Sequence, residues 1–237
     1  MSDEVFEAVV AELDRYAEQR LAPLTALAEQ AAGLLAASSA AVPAADFDIL
    51  EPMIRRQLAD DPTMVGHGFA AGAGVVRDND RFLQWFQHRA TGIRRLKLNL
   101  TPGDPELYDY FDTDWFSRAQ QDRTPALFGP YVDYAGADFL VITAVVPVIV
   151  DGRFLGVAGA DMLPGVIEHA LVAIMRRLPG DAVIVGTDRS VVAANTARWL
   201  PGERLAIHPS RDRLRWRSVG ELPAWTGWTI ALAATPS

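Results

Sequence analysis

An apolar run rich in β-branched residues, Phe139–Val150, and a second run, Arg153–Met162, meet at the dipeptide Asp151-Gly152. Both turn residues accept positive φ, which a two-residue hairpin requires of its central positions. The pair therefore predicts an antiparallel hairpin, with Gly156 and Gly159 within its second strand, while Gly68, Gly72 and Gly74 further upstream suggest a bulge or close packing. Three further strands are expected upstream, at Gly66–Val76, Arg81–His88 and Ile93–Leu100, with Arg77-Asp78-Asn79-Asp80 as the turn between the first two.

Helices flank this sheet in the sequence. From about residue 4 to 38, Phe6, Val9, Leu13, Tyr16, Leu24, Leu27, Ala31 and Leu34 recur mostly at three- and four-residue steps, with Glu7, Asp14, Arg15 and Glu18 opposite. The spacing predicts one long helix of roughly 50 Å, kinked or divided at Pro23. A second helix is expected from Asp46, as N-cap, to Asp60, and a partly helical aromatic stretch from Tyr108 to Gln121. Beyond the hairpin, Pro164–Arg177 reads as a helix, followed by short strands at Ala182–Gly186, Val191–Asn195, Arg213–Val219 and Trp228–Ala233. The fold class expected is α+β: a long N-terminal helix with an antiparallel sheet in residues 1–163, and a smaller α+β module in 164–237.

Composition narrows the function. The net charge of −8 argues against a nucleic-acid footprint. Two basic clusters, Arg94-Arg95-Lys97 and Arg211-Arg213-Arg215-Arg217, read as solvent faces of strands. The absence of cysteine excludes disulfides and thiol chemistry. His67, His88, His169 and His208 have no metal-ligand spacing, and GHGFAAGAG fits neither phosphate-loop pattern. Neither cofactor nor metal is expected. No run reaches the length of about 18 apolar residues that a membrane span needs, and MSDEVFEAVVAELDRY has no basic segment leading into an apolar one. On these grounds a soluble, cytoplasmic protein beginning at its natural Met-Ser-Asp is expected.

The stretch from Tyr108 to Met162 carries the most information. It holds Trp115-Phe116-Ser117-Arg118-Ala119, then Gly129-Pro130-Tyr131-Val132-Asp133, the strand ITAVVPV, the Asp-Gly turn and GVAGAD. In order and spacing this resembles the Cache (double Cache, PAS-like) sensor domains of bacterial chemoreceptors and sensor kinases, over about 170 residues, the tail corresponding loosely to a truncated second module. The resemblance implies a ligand held between a PAS-like sheet and its covering loops. It implies Tyr131, Asp133 and Asp161 as the ammonium-binding groups, with Trp115 and Phe116 along the wall. Amino-acid-binding members carry an arginine two residues before the tryptophan, to grip the carboxylate. Thr113 stands there, between Asp112 and Asp114.

A buried carboxylate needs a cationic or multiply hydrogen-bonded partner, so the departure favours a small amine as ligand. The candidate site is Trp115, Phe116, Tyr131, Asp133, Asp161, Thr113 and Asp114. Plainer roles stay open at this point: Asp161 or Asp133 as turn residues, Trp115, Phe116 and Tyr131 as core, Asp112 and Asp114 as helix caps, and Arg94 or Arg118 as a substitute carboxylate anchor. The expectation is a non-catalytic sensor for a small amine. Its rivals are a carboxylate or amino-acid sensor, or a degenerate module serving protein–protein contact. The expected partners are a small-molecule ligand, a second copy through the N-terminal helix, and a downstream signalling protein.

Overall fold

The computed structural model describes residues 2–38, 40–134 and 140–234. The hairpin is present as β5 (Leu140–Val150) and β6 (Arg153–Met162), turning through Asp151 at φ 49° and Gly152 at φ 73°. Phe139, the expected start of β5, lies outside the described residues. The remaining elements are α1 (Ser2–Ala36), α2 (Glu51–Asp60), β1 (Met64–Ala71), β2 (Leu83–Arg89), β3 (Gly92–Arg95), α3 (Asp114–Asp122), β4 (Ala126–Val132), α4 (Pro164–Met175), β7 (Ala182–Val185), β8 (Val191–Ala194), β9 (Trp216–Glu221) and β10 (Thr229–Ala233). The class is α+β with two antiparallel sheets, ordered β3-β2-β1-β6-β5-β4 and β8-β7-β10-β9.

The chain divides into two compact units, Leu21–Pro164 and a second made of the residues through Arg20 with those from Gly165 onward. In the first unit, the six-stranded sheet has two differently covered faces. On one, Phe47 stacks on Phe69 at 5.4 Å, and Ile54 and Leu58 of α2 are buried. His67 belongs to this face. Its Nδ1 lies 2.7 Å from the Gly159 carbonyl and its Nε2 2.8 Å from Gln57 Oε1 of α2. The other face carries Trp85, Tyr110, Trp115, Phe116 and Val145. In the second unit, Val183, Val185, Val191 and Ala231 form the core under Trp199 and Trp216, and Ile167, Leu171 and Met175 of α4 are buried.

Several local expectations change. α1 is not divided: Pro23 sits inside one continuous helix, and the Pro23 carbonyl accepts a hydrogen bond from Gln57 Nε2 at 3.0 Å. Its apolar positions Phe6, Val9, Leu13, Leu24, Leu27 and Ala31 are buried within a single chain. Asp46 does not cap an α-helix. A 3-10 helix spans Ala44–Leu50, and α2 starts at Glu51, where Pro52 suits the first turn of a helix. β3 stops at Arg95, short of Leu100. Arg213–Arg215 form a 3-10 turn, so β9 begins only at Trp216.

β4 was not foreseen. Gly129-Pro130 breaks its pattern, and proline is tolerated in sheets at edges and bulges. β4 is the sheet edge, its Gly129-Pro130 peptide is cis, and its pairing with β5 shifts register between Phe128 and Tyr131.

Candidate functional site

A cavity opens on the aromatic face of the first unit. It is lined by Leu83, Trp85, Leu96, Leu98, Tyr108, Trp115, Tyr131, Asp133, Thr143 and Asp161. Strand register places its polar floor. Asp161 on β6 is paired with Thr143 on β5 and with Gly66 on β1. One row along, Trp85, Gly68 and Gly159 lie side by side on β2, β1 and β6. The glycines make room for the indole. A Cβ on Gly66 would stand 2.6 Å from Trp85 Nε1 and 2.8 Å from Asp161 Oδ2, and one on Gly159 would stand 3.0 Å from the Trp85 ring. The glycine-rich segments that match no phosphate loop thus seat a tryptophan beside a carboxylate.

Asp161 is buried. Its Oδ2 accepts the Trp85 indole N–H at 3.2 Å and its Oδ1 accepts the Thr143 hydroxyl at 2.7 Å. With the Thr143 proton so used, the Tyr131 hydroxyl donates to Thr143 Oγ1 at 2.7 Å. The result is a relay running Tyr131 to Thr143 to Asp161. Burial, with the nearby Asp133 carboxylate adding to it, pushes the Asp161 carboxyl up to about 7 against the two hydrogen bonds it receives. Burial and the same two acids hold the Tyr108 and Tyr131 phenols above the usual range, so both stay neutral. The Trp85 and Trp115 rings, 6.3 Å apart, stand in the same cavity.

Of the residues expected at the site, Trp115, Tyr131, Asp133 and Asp161 converge on the cavity. Phe116 is buried behind it, edge-on to Tyr110 and Phe154. Thr113 and Asp114 are not in the lining. Thr113 occupies the N-cap position of α3 and its hydroxyl bonds back to the Tyr110 carbonyl, while Asp114 is exposed in the first turn. Asp112 is exposed too. No arginine or lysine lines the cavity among the described residues. Arg118 pairs with Asp122, and Arg94 hydrogen-bonds Thr91 at the surface. Sequence reasoning missed Trp85, Tyr108 and Thr143. Trp85 and Asp161 are 76 residues apart and meet only through strand register.

The free space as the side chains stand is about 30 Å³, room for a water molecule. Among the described residues, no cluster of His, Asp and Glu is arranged to hold a metal ion, and no helix is long and apolar enough to cross a membrane.

Residues 50–164 match the family model of the first PDC sensor domain of methyl-accepting chemotaxis protein-like proteins. No curated protein matches the chain. Solved structures share the fold over nearly all of it. The extracellular domain of mmHK1S-Z3, described as a histidine kinase, superposes with a TM-score of 0.63 at 16% identity, covering 97% of this chain and 94% of that one. The sensory domain of the Campylobacter jejuni chemoreceptor Tlp3, with isoleucine bound, gives 0.62 at 12% identity, covering 99% and 91%. The resemblance to Cache-type sensor domains therefore holds. The cytoplasmic expectation does not: solved structures that share this fold are extracellular domains of histidine kinases. An acidic first segment and the lack of a membrane-length apolar run say nothing about the side of a membrane on which a domain works.

Proposed function

With residues 50–164 matching a PDC-type sensor domain, we propose that the chain is a non-catalytic sensor module, displayed outside the cytoplasm, that takes a small amine as its ligand. The observation that carries this reading is the lining itself: the buried Asp161, Asp133 and four aromatic side chains, with no cationic group among them. An ammonium would pair with Asp161 and Asp133, accept contact from the π faces of Trp85 and Trp115, and offer its protons to carboxylate oxygens. An amino acid would bring a carboxylate into a cavity that supplies acids in place of a cation. Trp115, Tyr131, Asp133 and Asp161 are the proposed contacts, with Trp85, Tyr108 and Thr143 added.

Occupancy is the signal. The free space holds about one water, so a larger ligand must move the walls apart, and binding favours the widened arrangement by the difference in affinity between the two states. Residues 1–163 would form the ligand-binding domain and 164–237 the smaller module, with a second copy and a signalling partner reading the change. The small free volume also favours a second reading, a filled cavity in a module that serves protein contact.

A thermal-shift panel of amines, amino acids and small carboxylates on the purified chain separates these readings. A ligand at 100 times its Kd stabilises the folded state by about 2.7 kcal/mol. Amines should raise Tm, and Asp161→Asn, which keeps the shape of the side chain, should abolish the shift. Stabilisation by carboxylates alone would contradict the amine reading. No stabilisation by any compound would favour the filled cavity.

A further inference from the structure

The second unit carries a surface that the sensor reading does not use. Residues 198–217 hold six arginines against two acids, in a chain of net charge −8. Arg204 pairs with Asp188 and Arg215 with Asp212, and the Arg198 guanidinium lies over the Trp199 ring. Arg211, Arg213 and Arg217 are exposed and have no ion-pair partner among the described residues. Between Arg213 and Arg215, at the tip of a 3-10 turn, Leu214 is 98% exposed. Leu200 and Ile207 are exposed nearby in the sequence, at 56% and 46%. At the base of the turn, Trp199 and Trp216 pack with ring centroids 5.5 Å apart. They help line a cavity of about 200 Å³ with Arg198, Ile207 and Arg215, beside the C-terminal end of β10.

We infer that this surface is a contact site for an anionic lipid bilayer. An apolar tip rimmed by arginines, over two tryptophans, has the chemistry of a peripheral membrane contact. The leucine enters the acyl boundary, the indoles sit at headgroup level, and the guanidiniums meet lipid phosphates bidentately. A partner peptide fits the geometry less well, because Leu214, 98% exposed at the turn's tip, is not part of the neighbouring cavity's lining. The charge pattern makes the point sharper. An acidic protein is repelled by an anionic surface, so attraction requires a local cationic face turned toward it. The inference is independent of the cavity in the first unit.

Co-sedimentation of the full 237-residue chain with lipid vesicles is the test. Vesicles of phosphatidylcholine with about one third phosphatidylglycerol should carry the protein down and vesicles of phosphatidylcholine alone should not. Binding should vanish near 1 M salt, where the screening length falls to about 3 Å. Arg213→Glu with Arg217→Glu should weaken the partition by more than about 25-fold, at about fivefold per charge removed. Leu214→Asp, at a position with no packing to lose, should weaken it about tenfold or more. Absent binding, equal binding to neutral vesicles, or variants that sediment like the parent would overturn the proposal. So would a lipid-free dimer in analytical ultracentrifugation that Leu214→Asp dissociates, since the surface would then belong to a second copy.

Discussion

Asp161 is the buried carboxyl of the proposed site, and its charge depends on pH. An unfolded aspartate ionises near 3.8 and the folded Asp161 near 7. Between those values the folded chain keeps a proton that the unfolded chain has lost. The stability Asp161 contributes is therefore fully present below 3.8 and is lost as pH rises through 7. Asp161→Asn removes that slope, so the variant should gain stability relative to the parent between about pH 4 and pH 8, read as a growing Tm difference. A difference independent of pH would contradict a buried, proton-holding Asp161. His67, on the opposite face, has the reverse sign: burial lowers its pKa to about 4, and the imidazole stays neutral in the fold. Its contribution is lost as pH falls from its ordinary 6.5 through about 4, so the two groups oppose one another in the parent. Asp161 and Tyr131 were legible in the sequence because they sit in short ordered motifs. Trp85 was not, although the glycines around it were the available signal. Gly66, Gly68 and Gly159 flank its position on two neighbouring strands, but only the register of those strands reveals it.

At the level of elements, Gly68 is among the positions where the sheet is least tolerant. A Cβ on Gly68 would lie 2.1 Å from the Gln84 carbonyl oxygen and 2.7 Å from Trp85 Cα, both backbone atoms that cannot rotate away. Gly68→Ala should cost about 2–3 kcal/mol in urea unfolding, and Trp85→Leu should not relieve it. The Gly66 clash is with the Trp85 and Asp161 side chains, so Gly66→Ala should couple strongly to Trp85→Leu in a double-mutant cycle. Independent, additive costs for that pair would contradict the packing described. Gly33 is the opposite case. It lies in α1 with nothing within 4 Å of an added Cβ, and Gly33→Ala should stabilise by about 0.5–1 kcal/mol. The long helix, the Asp-Gly hairpin and α4 could be read from periodicity and turn chemistry. β4 could not, because Gly129-Pro130 looks like an interruption until an edge position and a register shift accommodate it.

For the whole molecule, summed composition conceals what segments carry. A net charge of −8 describes a chain whose residues 198–217 are locally cationic, and the basic run there, read as one face of a strand, divides between two 3-10 turns and β9. The α+β class and the two sheet modules followed from element order alone. The side of the membrane did not, because it is a property of the assembly in which a domain is displayed. The central claim, a small cavity that recognises a cation through a buried carboxyl, is tested most directly by calorimetric titration of a small amine near pH 6 in two buffers of different ionisation enthalpy. Asp161 is then largely protonated and must ionise to pair with the ammonium. The account predicts saturable binding with close to one proton released per amine bound, a release that disappears in Asp161→Asn. Amine binding without proton release, or binding confined to carboxylates, would contradict it.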